Sequence, residues 1–224
     1  MKKILFFTLC ILLFQSCKKC NDVRLGSVTL MPSSTVLVNN LKSKTLIFKD
    51  SLGSELRFKN SAGLKQQSLK TNYKKLCDGP IGLGGGFEFL EFESQLLVFT
   101  TSDLNVSLQL EALVIDANQQ TSEAKDTVLY DILSVQMYNP TGLTSISNQL
   151  ELSKRGIIKL NKPTNNVVIE TITILGRTFK QVVNVKNGLK SNDVEPAEVW
   201  YNATQGVVAL RLLNGKLFVL DKVE

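Results

Sequence analysis

The 224-residue chain contains no histidine. That removes the commonest general base and the commonest transition-metal ligand. It also rules out a Ser-His-Asp triad. Tryptophan occurs once, proline five times and cysteine four times. Two of the cysteines, Cys10 and Cys17, belong to an N-terminal signal, and the two that remain, without histidine, are too few soft ligands for a zinc site, so no metal ligand set is expected. No apolar run approaches the roughly 20 residues that a membrane-spanning helix needs. No Gly-x-Ser-x-Gly elbow is present, so a nucleophile held on a strand-to-helix turn is not expected. Charge is modest, with 26 basic against 20 acidic residues and a net of +6. The basic residues are dispersed and form no patch with interleaved aromatics, so a nucleic-acid partner is not expected. Apolar residues at 43% and charged residues at 21% are ordinary for a folded domain, which argues against wholesale disorder.

The N-terminus reads as a delivery signal. Lys2 and Lys3 precede an apolar stretch of 11 residues, Ile4 to Phe14. That is too short to cross a bilayer and suits a secretory signal. Leu13-Phe14-Gln15-Ser16-Cys17 resembles a bacterial lipobox, with a small residue just before a cysteine. The resemblance implies cleavage after Ser16, a diacylglyceryl group on the Cys17 thiol and N-acylation, for instance by palmitate. Two or three chains hold a membrane firmly, at about 0.8 kcal/mol per buried CH₂. Residues 1–16 are then signal peptide and residues 17–27 a tether. Residues 28–224 are a single β-rich domain, with candidate seams at 119–126 and 161–166. Loss of Lys2 and Lys3 leaves 24 basic residues against 20 acidic, a net of +4. Cys10 leaves with the signal. Cys20 and Cys77 remain as a possible disulfide of an oxidising compartment, or as two free thiols.

The body lacks a long helical period and is rich in strand signals. Thr45–Lys49 and Glu55–Lys59 flank a five-residue loop, Asp50-Ser51-Leu52-Gly53-Ser54, and read as a hairpin. Leu104, Val106, Leu108, Leu110, Ala112 and Val114 alternate with polar residues, the mark of a half-buried strand. Phe87 to Phe99 reads as an antiparallel pair turning at Glu93-Ser94-Gln95. Residues 121–138 fit one helix or a strand after a polar loop, and residues 144–154 a short helix or another strand. Val167–Ile174 and Thr178–Val185 form a tight hairpin punctuated by Gly176. Val207–Leu213 and Lys216–Leu220 flank Asn214-Gly215, which suits a two-residue type I′ turn. The expected fold is all-β: an antiparallel β-sandwich or a strongly curved sheet, with at most one or two short helices.

Thr173-Ile174-Leu175-Gly176-Arg177-Thr178-Phe179, Val182 to Val185, Val199-Trp200-Tyr201 and Gln205-Gly206-Val207-Val208 carry a further likeness. Together with the signal, this ending resembles β-rich lipoproteins of the Bacteroidota type. The resemblance implies an envelope protein anchored at Cys17. Lys18 and Lys19 stand where acidic residues would mark surface export, which favours an outer-membrane anchor facing the periplasm. Asp50-Ser51-Leu52 and Asp126-Thr127-Val128 resemble the lineage's O-glycosylation motif, at Ser51 and Thr127.

Catalytic chemistry finds little support. The Gly-rich run from Gly79 to Gly86 lacks the Lys-Ser/Thr of a phosphate loop and leads into a strand. Gly82, Gly84, Gly85 and Gly86 are kept as a possible ligand loop. Glu88, Glu91 and Glu93 are the nearest approach to paired carboxylates, with Glu88 on the opposite strand face from the other two. Asp116, Asn118 and Glu123 are too loosely spaced for a calcium loop. Trp200 beside Tyr201 could stack on a sugar but reads better as core. The expectation is a lipid-anchored, non-enzymatic envelope protein that binds or scaffolds, with an envelope protein or an apolar or glycan ligand as partner and no cofactor. One alternative is a carrier holding a lipid or other apolar ligand in a curved sheet. The other is a hydrolase working with carboxylates alone.

Overall fold

Period-two alternation carries through to the folded chain, where strands dominate. The structure, a computed structural model, describes residues 21–76, 86–101, 106–116, 128–138, 145–155, 167–186 and 196–224. Among them the elements are β1 (Val23–Val28), α1 (Pro32–Leu41), β2 (Thr45–Lys49), β3 (Glu55–Lys75), β4 (Phe87–Thr100) and β5 (Ser107–Asp116). They continue with β6 (Leu129–Tyr138), β7 (Ser145–Arg155), β8 (Val168–Ile174), β9 (Arg177–Lys186), β10 (Pro196–Asn202), β11 (Gly206–Leu212) and β12 (Leu217–Val223). The sheet order is β7-β6-β5-β4-β3-β2-β12-β11-β10-β9-β8, and β1 pairs with β4 off this path. The fold is all-β, a strongly curled antiparallel sheet with one helix.

Contacts divide the chain into two units. The smaller comprises Met1–Ser27, Lys70–Glu91 and Asn118–Thr127. Within it the Phe87 N–H donates to Asp22 at 3.0 Å, and Lys70 pairs with the same carboxylate. Lys70 also lies 4.1 Å above the Phe89 ring, and Arg24 pairs with Glu91 at 2.5 Å.

The larger unit holds the curled sheet. Ladder pairing sets Leu97, Leu110 and Val135 side by side on β4, β5 and β6, followed by Phe99, Leu108 and Met137. All six are buried, and this face turns inward toward α1. The curl is tight enough that a Cβ on Gly206, at the start of β11, would lie 3.1 Å from Leu110 Cδ1 of β5 and 3.6 Å from Leu41 Cδ1 of α1. Gly206 also has φ +75°, a conformation that side chains resist.

A second core lies within the C-terminal meander. Ile174, Phe179, Val182, Trp200, Val208, Ala209 and Val219 pack together, drawn from β8 to β12. Consecutive residues Val207 to Leu210 are all buried, so β11 is covered on both faces. Each buried Val, Leu, Ile or Phe here contributes about 1.5–3 kcal/mol relative to exposure. The tip of the β8–β9 hairpin turns back onto β12. Arg177 Nη1 donates to the carbonyls of Leu220 and Asp221 at 3.2 and 2.8 Å, and Nη2 pairs with the Asp221 carboxylate. Lys49 of β2 reaches the same carboxylate at 3.1 Å. The hairpin turn itself has Leu175 at φ +46° and Gly176 at φ +78°, both central residues left-handed as a type I′ turn requires.

Several expectations change. β4 runs straight through Glu93-Ser94-Gln95 with no turn there. Each of those polar residues finds a partner inside the sheet, so the strand has no need to break: Glu93 accepts from the Leu30 N–H, Gln95 donates to Glu93, and Ser94 bonds Glu111. Residues 129–138 and 145–155 are strands. Residues 32–41, where the sequence shows no long helical period, form the helix. Residues 23–27 of the expected tether belong to β1. At Asn214-Gly215 only Gly215 has positive φ, and the Leu212 N–H reaches the Lys216 carbonyl at 2.9 Å. The loop is therefore longer than two residues, with Gly215 alone supplying the left-handed step that closes it.

Gly206→Ala is expected to lower stability by about 2–4 kcal/mol in urea unfolding, because left-handed strain and a tight methyl contact add. The Lys49 hydrogen bond, helped by the charge of Arg177 and opposed by partial burial, holds the Asp221 carboxyl below its usual range. A carboxylate depressed on folding stabilises above its unfolded pKa of about 3.9 and loses that contribution as pH falls through its folded value. The urea midpoint should therefore drop from pH 6 toward pH 3, and Asp221→Asn should make that drop shallower.

Candidate functional site

The site begins with how the chain enters α1. Pro32 occupies the first helical turn, where its missing N–H costs nothing. Met31 supplies no side-chain cap. The neighbouring donors are instead taken by the sheet: the Leu30 N–H donates to Glu93 Oε2 at 2.9 Å and the Met31 N–H to Asp131 Oδ2 at 2.8 Å. Asp131 is fully buried. Ser153 of β7 adds a contact, its hydroxyl donating to the Met31 sulfur at 3.0 Å. These bonds set α1 against the inner face, where Leu37, Val38 and Leu41 are buried.

One face of α1 is left facing a cleft. The curl brings β7 near β9 and β10, yet β7 and β8 remain the two ends of the sheet. Between β7, the β10–β11 turn and α1 lies a hollow of about 490 Å³, lined by Ser33, Ser34, Val36, Leu37, Asn40, Leu152, Ala203 and Thr204. Ala203 and Thr204 also border a second hollow of about 240 Å³, beside Leu150, Glu151, Val168, Lys180 and Gln181. A third, shallower space runs over Glu170, Thr171, Lys180 and Gln181. Ser34 is buried, and its hydroxyl has no hydrogen-bond partner among the described residues. The 490 Å³ hollow falls within the range of about 300–1,000 Å³ usual for small-molecule sites.

The floor of the cleft is rigid. Asn202 ends β10 with its side chain buried. Its Oδ1 accepts from the Gln205 N–H at 2.7 Å and from the Thr204 N–H and hydroxyl at 3.2 and 3.1 Å. Its Nδ2 donates to the Lys180 carbonyl at 3.2 Å. One amide thus closes the β10–β11 turn and ties it to β9. The next residue of β9, Gln181, stands at φ +51°. A left-handed glutamine within a strand costs on the order of 1–3 kcal/mol, and such strain clusters at binding sites.

The residues singled out from the sequence lie elsewhere. Cys17, Cys20, Cys77, Thr127, Gly82, Gly84 and Gly85 fall outside the described residues, as do Asn118 and Glu123. Gly86 is buried in the smaller unit and accepts from the Leu76 N–H at 2.8 Å. Ser51 is exposed on the β2–β3 loop, whose shape Asp50 fixes by accepting from the Leu52 and Ser54 N–H groups. Trp200 is buried in the second core, with the Arg211 guanidinium 5.7 Å from its ring, which leaves no face for a sugar. Glu91 pairs with Arg24, Glu93 holds the entry to α1, and Asp116 accepts from the Val128 N–H at 3.0 Å. No group of three or more Cys, Asp or Glu among the described residues is arranged to hold a metal ion. Likewise no described helix is long and apolar enough to cross a membrane.

Sequence reasoning missed the cleft. Its strongest available signal was Pro32 followed by Ser34, Leu37, Val38 and Leu41, a helix start and an apolar stripe at spacings of three and four. Lys180 and Gln181 carried no sequence signal. No family profile, curated protein or solved structure matches the chain.

Asn202→Ala is expected to cost about 2–3 kcal/mol, since it strips two backbone N–H groups and a carbonyl of their partner. Hydrogen exchange should show the amides of Thr204 and Gln205 losing protection before those of β11.

Proposed function

We propose that this is a lipid-anchored envelope protein that binds, without chemistry, a ligand with an apolar chain, and that the cleft beside α1 is where the chain lies. The anchor is the one implied by the lipobox-like Leu13–Cys17. The observation that carries the binding reading is the 490 Å³ hollow with an apolar wall of Val36, Leu37, Leu152 and Ala203. Among the described residues the inner face is lined by buried side chains, Phe48, Phe58, Phe99 and Leu108 among them, and α1 packs against it. A ligand is therefore held at the seam of the curled sheet rather than deep inside it. Small polar groups along the same wall, Ser33, Asn40 and Thr204, favour an amphiphile over a plain hydrocarbon.

The test keeps the chain in its own envelope. Cells producing the full protein are given a fatty acid bearing a photoreactive diazirine and irradiated, and labelled peptides are mapped by mass spectrometry. Label is expected on the peptides that carry Val36–Leu37 and Leu152, and Leu152→Trp should abolish it by filling the hollow. The same digest should begin at an acylated Cys17. Label that ignores Leu152→Trp, or falls on other strands alone, overturns the reading.

A further inference from the structure

Described acidic side chains in this molecule are almost all engaged. Glu55, Glu91, Glu198, Asp221 and Glu224 form ion pairs, and Asp22 pairs with Lys70. Asp50, Glu93, Glu111, Asp116 and Asp131 accept hydrogen bonds. Among the described residues only Glu88, Glu151 and Glu170 have neither an ion pair nor a hydrogen bond. Two of these three, Glu151 and Glu170, line the cleft at its β8–β9 end. Lys180, which lines both of the hollows there, pairs with neither of them. Elsewhere on the sheet, Lys49–Asp221 and Lys186–Glu198 do pair across neighbouring strands.

The cleft is thus graded. Apolar side chains gather at the α1 end, and unpaired charges of both signs gather where Gln181 is held in its strained conformation. From this grading, and resting on the chain-binding reading above, we infer that the ligand is a zwitterionic amphiphile. Its chain lies along Val36, Leu37 and Leu152. Its anionic group meets Lys180, and its ammonium group meets Glu151 and Glu170. An anionic head alone would leave two carboxylates facing it, and a neutral head would leave all three charges unmatched. Neither of those heads turns the unpaired charges to use.

The experiment sets three unlabelled lipids of one chain length against the diazirine probe on the full protein. They are a lysophosphatidylethanolamine (zwitterionic), a lysophosphatidate (anionic) and a monoacylglycerol (neutral). The zwitterion is expected to displace the probe at about fivefold lower concentration than either rival, the scale of two or three exposed ion pairs. Glu151→Gln with Glu170→Gln should erase its advantage over lysophosphatidate. Lys180→Met should instead narrow its advantage over the monoacylglycerol. All three side chains are solvent-facing, so these variants are expected to keep the wild-type urea midpoint. Equal displacement by the three lipids, or an advantage that survives the double Gln variant, overturns the head-group assignment and leaves chain binding standing. Absence of cleft labelling by the probe overturns both.

Discussion

Two carboxylates set the geometry on which the rest depends. Glu93 and Asp131 reach from β4 and β6 to the consecutive N–H groups of Leu30 and Met31. Glu93 is half-buried and Asp131 buried, and a carboxyl group so placed is held by the backbone hydrogen bond it accepts, because losing the partner would leave it poorly solvated. The two bonds therefore fix both where α1 starts and which way it points. The helix has little of its own to hold it: no side-chain cap, no acidic residue in its first turn and no basic residue in its last. Its position comes from the sheet. Leu37, Val38 and Leu41 then fall onto the inner face, and Ser33, Ser34 and Asn40 are left beside the cleft.

Curvature follows from the same packing. A sheet of this many strands must curl or split to bury one face. Here α1 and the large side chains of β2 to β6 define how far the curl can close. Gly206 marks a close approach, where β11 meets Leu110 across the interior. The C-terminal meander gains independence from its second core, and the Arg177–Asp221–Lys49 chain of charges ties the hairpin tip to the middle of the sheet. The cleft exists because those two packing arrangements meet without sealing.

Much of the fold was legible in the residues. Period-two runs such as Leu108 to Val114 identify strands because burial of one face is a local property, visible in the side chains themselves. The hairpin turn at Gly176 was legible for the same reason. Glu93-Ser94-Gln95 was read wrongly because polar residues inside a strand look like a turn until their distant partners are known, and Leu30 lies 63 positions away. The helix was hidden by composition, since Ser, Thr, Val and Asn are weak helix formers and α1 depends on tertiary bonds. The cleft was not legible at all. It is made by four segments that meet only after the sheet has curled, and none of them carries a pattern that announces a ligand.

One topological detail reaches beyond the finished structure. β12 sits between β2 and β11, and among the described residues it alone pairs the strands on either side of it into one ladder. Glu224 extends this link by exchanging backbone bonds with Thr45 in both directions, at 2.8 and 3.0 Å. Strands β2 to β7 can form one meander and β8 to β11 another, but only β12 joins them in a continuous ladder among the described residues. Joining of the two meanders into one ladder therefore waits on β12, whichever of them forms first.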